Sequence, residues 1–209
     1  TGRSVLILPP LPPISPFGSG TKEILRLRMA AERKAAAAAR PDAGVHAARL
    51  FFEHVPLPDK AVVSLYHPLR DELDTKPLAT ELLARGFPIA LPVTPRKRGV
   101  LTFRAFREGD PLLPDRNGIM TPTEAAPELR PMIVVTPLLA FTRDGARLGY
   151  GGGYYDRTLA SLKSKNDILA VGFAFAAQEV DKLPMSDTDQ YLDWIVTERE
   201  AIDAGRRFG

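Results

Sequence analysis

The chain contains no cysteine and only three histidines among its 209 residues. The lack of cysteine excludes disulfide bonds and thiolate metal sites, and so few histidines make a histidine-based metal site unexpected. No run of about 18 apolar residues occurs, which predicts that no helix spans a membrane. A chain without disulfides suits a reducing compartment, so we expect a cytoplasmic protein with no membrane partner.

The first residues differ from the rest of the chain in their high proline content. Their apolar patch, residues 5–8, is interrupted by prolines and is too short for the core of a signal peptide. We predict that residues 1–21 form an extended, proline-rich arm and that residues 22–209 form a single domain. The net charge of +3 is too small to indicate nucleic-acid binding by itself, so no nucleic acid partner is expected.

Apolar runs alternate with helical segments along the rest of the chain, and residues 109–130 form a proline-containing connection with little periodicity. The apolar runs predict strands at residues 60–66, 87–93, 100–106, 131–136, 168–175 and 194–197. Composition and capping residues predict helices at residues 22–39, 43–54, 74–85 and 154–165. We expect Thr21 to cap the first helix and Asp74 the third. This order predicts an α/β fold with a mostly parallel central sheet flanked by helices on both faces.

Residues 147–157, Arg-Leu-Gly-Tyr-Gly-Gly-Gly-Tyr-Tyr-Asp-Arg, hold four glycines within five positions. Glycine allows positive φ angles and lets an anion approach the main-chain N–H groups. The segment enters a predicted helix, whose N-terminus is a favourable phosphate site, and Arg147 can contact a phosphate with two N–H groups. The spacing matches neither a Walker A motif nor Gly-x-Gly-x-x-Gly. A plain glycine turn between a strand and a helix is the alternative interpretation.

Three cations of the first helix, Lys22, Arg26 and Arg33, share one face. At about 100° per residue, offsets of 4 and 11 residues bring them within roughly 40° of one another. This face is either a solvated basic stripe or a phosphate-binding surface that points toward the glycine segment.

Several acidic residues are candidates for ligand or metal contacts. Asp156 lies in the first turn of a predicted helix, where it either complements the helix dipole or binds Mg²⁺. The acids Asp187, Asp189 and Asp193 lie near the last strand and are either solvated or complete an oxygen-ligand Mg²⁺ site. Glu72 follows a predicted strand, at the edge where open α/β sheets bind ligands, and has no capping role.

Motifs spread over residues 22–198 resemble, in the same order, the 5-formyltetrahydrofolate cyclo-ligase family, also called methenyltetrahydrofolate synthetases. The most specific is Pro-Leu-Leu-Ala-Phe at residues 137–141, followed by Gly-Ala-Arg-Leu-Gly-Tyr-Gly-Gly-Gly-Tyr-Tyr-Asp-Arg at 145–157. Lys-Glu-Ile-Leu-Arg at 22–26 and Asp-Glu-Leu-Asp-Thr at 71–75 also resemble family motifs. Weaker matches lie at residues 91–93, 101–103, 118–119, 183–184, 189 and 192–198.

The resemblance implies an ATP- and Mg²⁺-dependent ligase that closes 5-formyltetrahydrofolate to 5,10-methenyltetrahydrofolate and releases ADP and phosphate. It implies metal contacts from Asp156 and Asp189. The implied ATP contacts are Lys22, Arg26, Arg147, Leu148, Gly149, Tyr150, Gly151, Gly152, Gly153, Tyr154 and Tyr155. The implied folate contacts are His67, Glu72, Tyr150, Gly151, Gly152, Gly153 and Tyr154. No catalytic nucleophile is assigned, because positioning and charge neutralisation suffice for this chemistry.

Three positions depart from the family pattern. Thr142 stands where an aspartate is usual, and Asp144 of the Asp-Gly turn is the candidate to replace it. Asn117 stands where an aromatic residue sometimes occurs, and His67 where an apolar residue is common.

Two other functions remain open from the residues alone. The basic loop at residues 96–98, together with the first helix, could form an RNA-binding module without turnover. A different small-molecule enzyme could also use the same α/β scaffold, since a fold does not determine chemistry.

Overall fold

The computed structural model describes residues 19–205. Residues 1–18, which make up nearly all of the predicted proline-rich arm, and residues 206–209 lie outside the described residues. The helices of the described chain are α1 (Ser19–Ala39), α2 (Ala43–His54), α3 (Lys76–Ala84) and α4 (Tyr154–Lys163), with a short 3₁₀ turn at Ala176–Gln178. No helix among residues 19–205 is both long enough and apolar enough to cross a membrane.

A seven-stranded sheet forms the centre of the molecule. Its strands are β1 (Val63–Ser64), β2 (Ile89–Val93), β3 (Thr102–Phe106), β6 (Ile133–Thr136), β9 (Leu169–Phe173), β10 (Trp194–Val196) and β11 (Ala201–Asp203). They lie in the order β11-β10-β9-β6-β1-β2-β3. The five inner strands pair in parallel, and β3 and β11 add antiparallel edges. The predicted α/β fold with a mostly parallel sheet is confirmed.

The two faces of the sheet build separate cores because neighbouring strand residues point to opposite sides. Ile133 and Val135 of β6 pack against the apolar residues of α2 and α3, including Phe51. Val134, between them, packs on the other face with Leu159 of α4. Helices therefore cover both faces of the sheet, as predicted. A third cluster fixes α1 against the segments β7 (Ala140–Phe141) and β8 (Arg147–Leu148).

The predicted cap of the first helix is wrong, because this helix begins at Ser19 and Thr21 lies inside its first turn. The predicted cap of the third helix is confirmed by its hydrogen bond. The helix begins at Lys76, the Thr75 side chain makes no capping bond, and the Asp74 carboxylate accepts the Lys76 N–H at 2.9 Å. Pro77 explains this start, because a proline is tolerated in the first helical turn, where its missing N–H has no helical acceptor to lose.

Two short hairpins escape the sequence-based assignment. Residues 109–130, expected as an irregular connection, contain β4 (Leu112–Pro114) paired antiparallel with β5 (Met120–Pro122). The strands β7 and β8 also pair antiparallel, on either side of the predicted Asp144-Gly145 turn. Gly145 has φ of +86°, which confirms that this turn needs a glycine.

Candidate active site

A cavity of about 750 Å³ opens beyond the carboxyl ends of the parallel strands, where α/β sheets commonly bind ligands. It is lined by α1, by the segment that follows β1, by the β4–β5 hairpin and by residues 147–157, hereafter the glycine loop. Every residue for which the family resemblance implies a contact to ATP, folate or metal lines this cavity. The structure thus brings the predicted residues together, and their individual ligands stay predictions.

The glycine loop connects β8 to α4 and opens the N-terminus of that helix toward the cavity. Gly151 has φ of +98° and Gly153, the N-cap of α4, has φ of +63°. Both are left-handed conformations that other residues adopt at a cost. The first N–H groups of any helix have no helical acceptor, and Gly153 has no side chain to accept a hydrogen bond from those of α4. An anion can therefore approach this helix end closely.

The basic face of α1 points at the glycine loop, so its interpretation as a solvated stripe is wrong. Arg26 donates from Nε to the Gly149 carbonyl at 3.0 Å. Arg33 donates to the hydroxyl of Tyr150 and is almost completely buried. Lys22 Nζ forms an ion pair with Asp189 at 2.8 Å. The prediction that the three cations share one face of the first helix is confirmed.

Arg147, the first residue of the glycine loop, is buried and forms an ion pair. Its side chain is only 3% exposed, and NH2 donates to Asp156 Oδ1 at 2.8 Å. Its guanidinium lies 5.7 Å from the centre of the Tyr155 ring. Its Nε is buried and has no hydrogen-bond partner among the described residues. A buried donor without a partner is costly, and the side chain that carries it belongs to a residue that lines the cavity.

Asp156 and Asp189 both line the cavity, and the N–H of Gln190, the residue after Asp189, donates to Asp156 Oδ1 at 3.1 Å. Partial burial acts to raise the pKa of Asp189, but the Lys22 ammonium and the Ser186 N–H outweigh it, so this pKa lies below its ordinary value. The Asp189 carboxyl is therefore ionised at neutral pH.

The residues present fit a Mg²⁺ ion that arrives with a nucleotide. Among residues 19–205, no group of three or more His, Cys, Asp or Glu side chains could hold a metal ion by itself. Mg²⁺ usually needs only one or two carboxylates, because water and substrate phosphates supply its other ligands. Of the three acids near the last strand, Asp189 lines the cavity, whereas Asp193 pairs with Lys163 and receives the Ala170 N–H.

Glu72 also lines the cavity, with a side chain that is 5% exposed. Its Oε2 accepts the Leu69 N–H and its Oε1 accepts the Tyr150 hydroxyl, both at 2.8 Å. Burial raises the pKa of Glu72 above its ordinary value, although the two hydrogen bonds and the nearby Arg33 charge oppose this. The group is a buried carboxylate that faces a partly apolar cavity.

The structure places the three positions that depart from the family pattern. The Thr142 hydroxyl donates a hydrogen bond to the Asp144 carboxylate within the β7–β8 turn, so Asp144 stabilises this turn. Asn117 lines the cavity from the β4–β5 turn, where its N–H donates to Asp115. His67 lines the cavity next to Tyr66, whose hydroxyl donates to the Leu73 carbonyl at 2.7 Å.

Sequence reasoning missed two arginines, Arg157, which lines the cavity, and Arg116, which contacts a lining residue. Arg157 donates to the carbonyls of Gly99 and Gly152, and its guanidinium lies 5.1 Å from the centre of the Tyr154 ring. Arg116 donates to the Tyr154 hydroxyl at 2.7 Å and connects the β4–β5 hairpin to the glycine loop. Arg157 belongs to the glycine segment itself, so its place in the sequence could have indicated it. Nothing in the sequence indicates the contact of Arg116.

Comparisons with known proteins identify the family. The model of the 5-formyltetrahydrofolate cyclo-ligase family matches residues 19–198. A 5-formyltetrahydrofolate cyclo-ligase of Escherichia coli K12 is 34% identical over 159 residues, which are 74% of this chain and 87% of that protein. One of Haemophilus influenzae is also 34% identical, over 61% of this chain and 70% of its own.

Solved structures agree with this result. The NMR structure of Aquifex aeolicus 5,10-methenyltetrahydrofolate synthetase superposes with a TM-score of 0.70 and 27% identity, over 90% of this chain and 94% of that one. A Mycoplasma pneumoniae 5,10-methenyltetrahydrofolate synthetase has the same fold, with a TM-score of 0.66 and 21% identity over 85% and 98% of the two chains. The fold is α/β, and the curated relatives that the chain matches are ligases. The chain belongs to the 5-formyltetrahydrofolate cyclo-ligase family.

Proposed function

We propose that this protein closes 5-formyltetrahydrofolate to 5,10-methenyltetrahydrofolate at the expense of ATP, with Mg²⁺, and releases ADP and phosphate. The observation that supports this most is the composition of one cavity. The glycine loop and the cations of α1 line one part of it, and the buried carboxylate of Glu72 lines another. A triphosphate and a ring with N–H donors need these two environments side by side.

The triphosphate half of the proposal is supported by positive charge and free N–H groups. Lys22, Arg26 and Arg147 all line the cavity beside the glycine loop. The N-terminus of α4 adds the favourable end of a helix dipole. We propose that the phosphates lie on Gly149–Gly153 and that the charge of the Arg147 guanidinium stabilises them.

The metal site of the proposal rests on two carboxylates that line the cavity. Asp156 and Asp189 would hold Mg²⁺ together with the phosphates, with Lys22 and Arg147 neutralising the remaining charge. When bound, Mg²⁺ supplies charge neutralisation for the transferring phosphoryl group.

The folate half is supported by Glu72 and by aromatic side chains. The pteridine carries ring and exocyclic N–H groups, which a fixed carboxylate can accept. Tyr150 and Tyr154 line the cavity and offer ring faces for stacking. His67 lines the same cavity and is a further proposed contact to the folate.

The proposed reaction needs no protein nucleophile. The N5-formyl oxygen attacks the γ-phosphorus, whose bond to the β,γ-bridging oxygen breaks, and ADP leaves. N10 then attacks the formyl carbon, phosphate departs with the former formyl oxygen, and N10 releases its proton to solvent. The protein binds both substrates in line and stabilises charge, which explains why no nucleophile–base pair is needed.

A direct assay tests the proposal. The protein is mixed with 5-formyltetrahydrofolate, ATP and Mg²⁺, and methenyl absorbance and ADP are followed together. We expect one ADP per methenyl product and no product above the blank when ATP or Mg²⁺ is omitted. RNA affinity without ATP consumption would instead favour the phosphate-binding module. The cytoplasmic location and the absence of a nucleic acid partner stay predictions.

A further inference from the structure

Arg33 is a buried cation that the proposed reaction does not yet use. From α1 its Nε donates to Asp71 Oδ2 at 3.0 Å, and its NH1 donates to the Tyr150 hydroxyl. The same NH1 lies 3.7 Å from Glu72 Oε1. The side chain is only 3% exposed. Among the described residues, α1 lines the cavity through Lys22 and Arg26, and Arg33 lies behind that wall.

Glu72 is fixed from two sides by this arrangement. The Leu69 N–H holds Oε2, and the Tyr150 hydroxyl holds Oε1 while it accepts a hydrogen bond from Arg33. The guanidinium also lies 5.5 Å from the centre of the Tyr150 ring. Arg33 thus connects the segment after β1 to the glycine loop through a single hydrogen-bonded group.

We infer that Arg33 is a positioning residue for folate binding, which holds Glu72 and Tyr150 together so that Glu72 presents an oriented, ionised carboxylate to the pteridine. This inference rests on the proposed function. It assigns to Arg33 a role in substrate affinity although Arg33 does not itself touch the cavity. The three residues come from three distant segments, so the group exists only in the folded chain.

The charges around Glu72 explain why a cation is needed there. Burial disfavours the ionised form of this carboxyl, and the neighbouring Asp71 charge disfavours it further. The Arg33 charge, together with the Leu69 N–H and the Tyr150 hydroxyl, counters both effects. The charged and titratable groups that face Glu72 are Arg33 from α1, Asp71 from its own segment, Tyr66 after β1, Tyr150 from the glycine loop and Tyr155 from α4.

Steady-state kinetics of Arg33→Gln and Arg33→Lys test the inference. The kcat/KM for 5-formyltetrahydrofolate is measured across pH, with the rate in the absence of ATP subtracted. In Arg33→Gln we expect KM for the folate to rise about tenfold at neutral pH, the loss of one charged contact, while KM for ATP stays within about twofold. We expect the acidic limb of the pH profile of kcat/KM to shift to higher pH by about one unit. Arg33→Lys keeps the charge and should restore most of that shift.

Controls separate positioning from folding and from the reaction itself. Arg28→Gln changes an exposed arginine of the same helix and should match the wild type. If Arg33→Gln does not fold, Tyr150→Phe removes the hydroxyl between Arg33 and Glu72 and should move the acidic limb in the same direction. An unchanged limb and an unchanged folate KM in the folded variant overturn the inference and leave the proposed function intact. A wild type without turnover overturns both.

Discussion

Lys22 Nζ and Asp189 Oδ2 lie 2.8 Å apart, although 167 residues separate them in the chain. The contact joins the first turns of α1 to the segment that precedes β10, at the edge of the cavity. When a nucleotide binds at this edge, the cation and the anion can each contact a different part of it. We propose that Lys22 turns to a phosphate and that Asp189 turns to the metal that accompanies it.

Replacement of Lys22 should therefore weaken nucleotide binding. In Lys22→Met we expect the Kd for ATP to rise about tenfold, because one charge-assisted hydrogen bond is lost. Isothermal titration calorimetry with ATP and Mg²⁺ measures this change. Lys34→Met, at an exposed position of the same helix that does not line the cavity, is the matched control. Equal affinities for the two variants would contradict the role of Lys22.

Two glycines with similar φ angles allow an effect on ligand binding to be distinguished from an effect on stability. Gly151 has φ of +98° and its added Cβ would lie 3.4 Å from the Arg26 guanidinium carbon. Gly109 has φ of +92° and an added Cβ would meet nothing within 4 Å. Alanine at either position should cost about 1–2 kcal/mol of unfolding free energy for the left-handed backbone. In addition, only Gly151→Ala should lower ATP affinity, as titration calorimetry of both variants would show.

Two helix glycines at equivalent positions should respond with opposite sign to alanine. Gly20 and Gly44 are each the second residue of a helix. A Cβ on Gly44 would lie 2.5 Å from the Asp74 carbonyl oxygen, so Gly44→Ala should destabilise the protein by about 1–3 kcal/mol. A Cβ on Gly20 meets nothing within 4 Å, so Gly20→Ala should raise stability by up to about 0.5–1 kcal/mol. Urea denaturation of both variants checks the signs.

Glu72 should cost stability at neutral pH. Since its pKa is raised in the folded protein, its favourable contribution is full below the unfolded pKa of about 4.3 and is lost as the pH rises through the folded pKa. The unfolding free energy of the wild type relative to Glu72→Gln should therefore fall as the pH rises over this window. Denaturant titrations at a series of pH values measure the difference. A rising difference would show that the pKa of Glu72 is lowered instead.

The glycine loop and the cation face of α1 could be predicted because both depend on local spacing. Four glycines in five positions and the 100° helical step needed no knowledge of distant residues. The burial of Arg33 could not be predicted in this way. Its partners Asp71 and Glu72 come from another segment, and the sequence alone does not reveal which side chains face it.

The β4–β5 hairpin shows a local signal that was overlooked. Asn117-Gly118 is a strong turn dipeptide, and Gly118 adopts φ of +77°. The prolines at the ends of both strands hid the pattern, because proline is unfavourable inside a sheet but tolerated on short edge strands. The strand β11 was not predicted, because its residues, Ala-Ile-Asp, form no apolar run.

The binding of triphosphate at the glycine loop is tested most directly by a crystal structure with a non-hydrolysable ATP analogue and Mg²⁺. We expect the phosphates within hydrogen-bonding distance of the main-chain N–H groups of Gly151–Gly153, with Lys22, Arg26 and Arg147 around them. A nucleotide bound elsewhere, with this loop free of phosphate, would contradict the assignment.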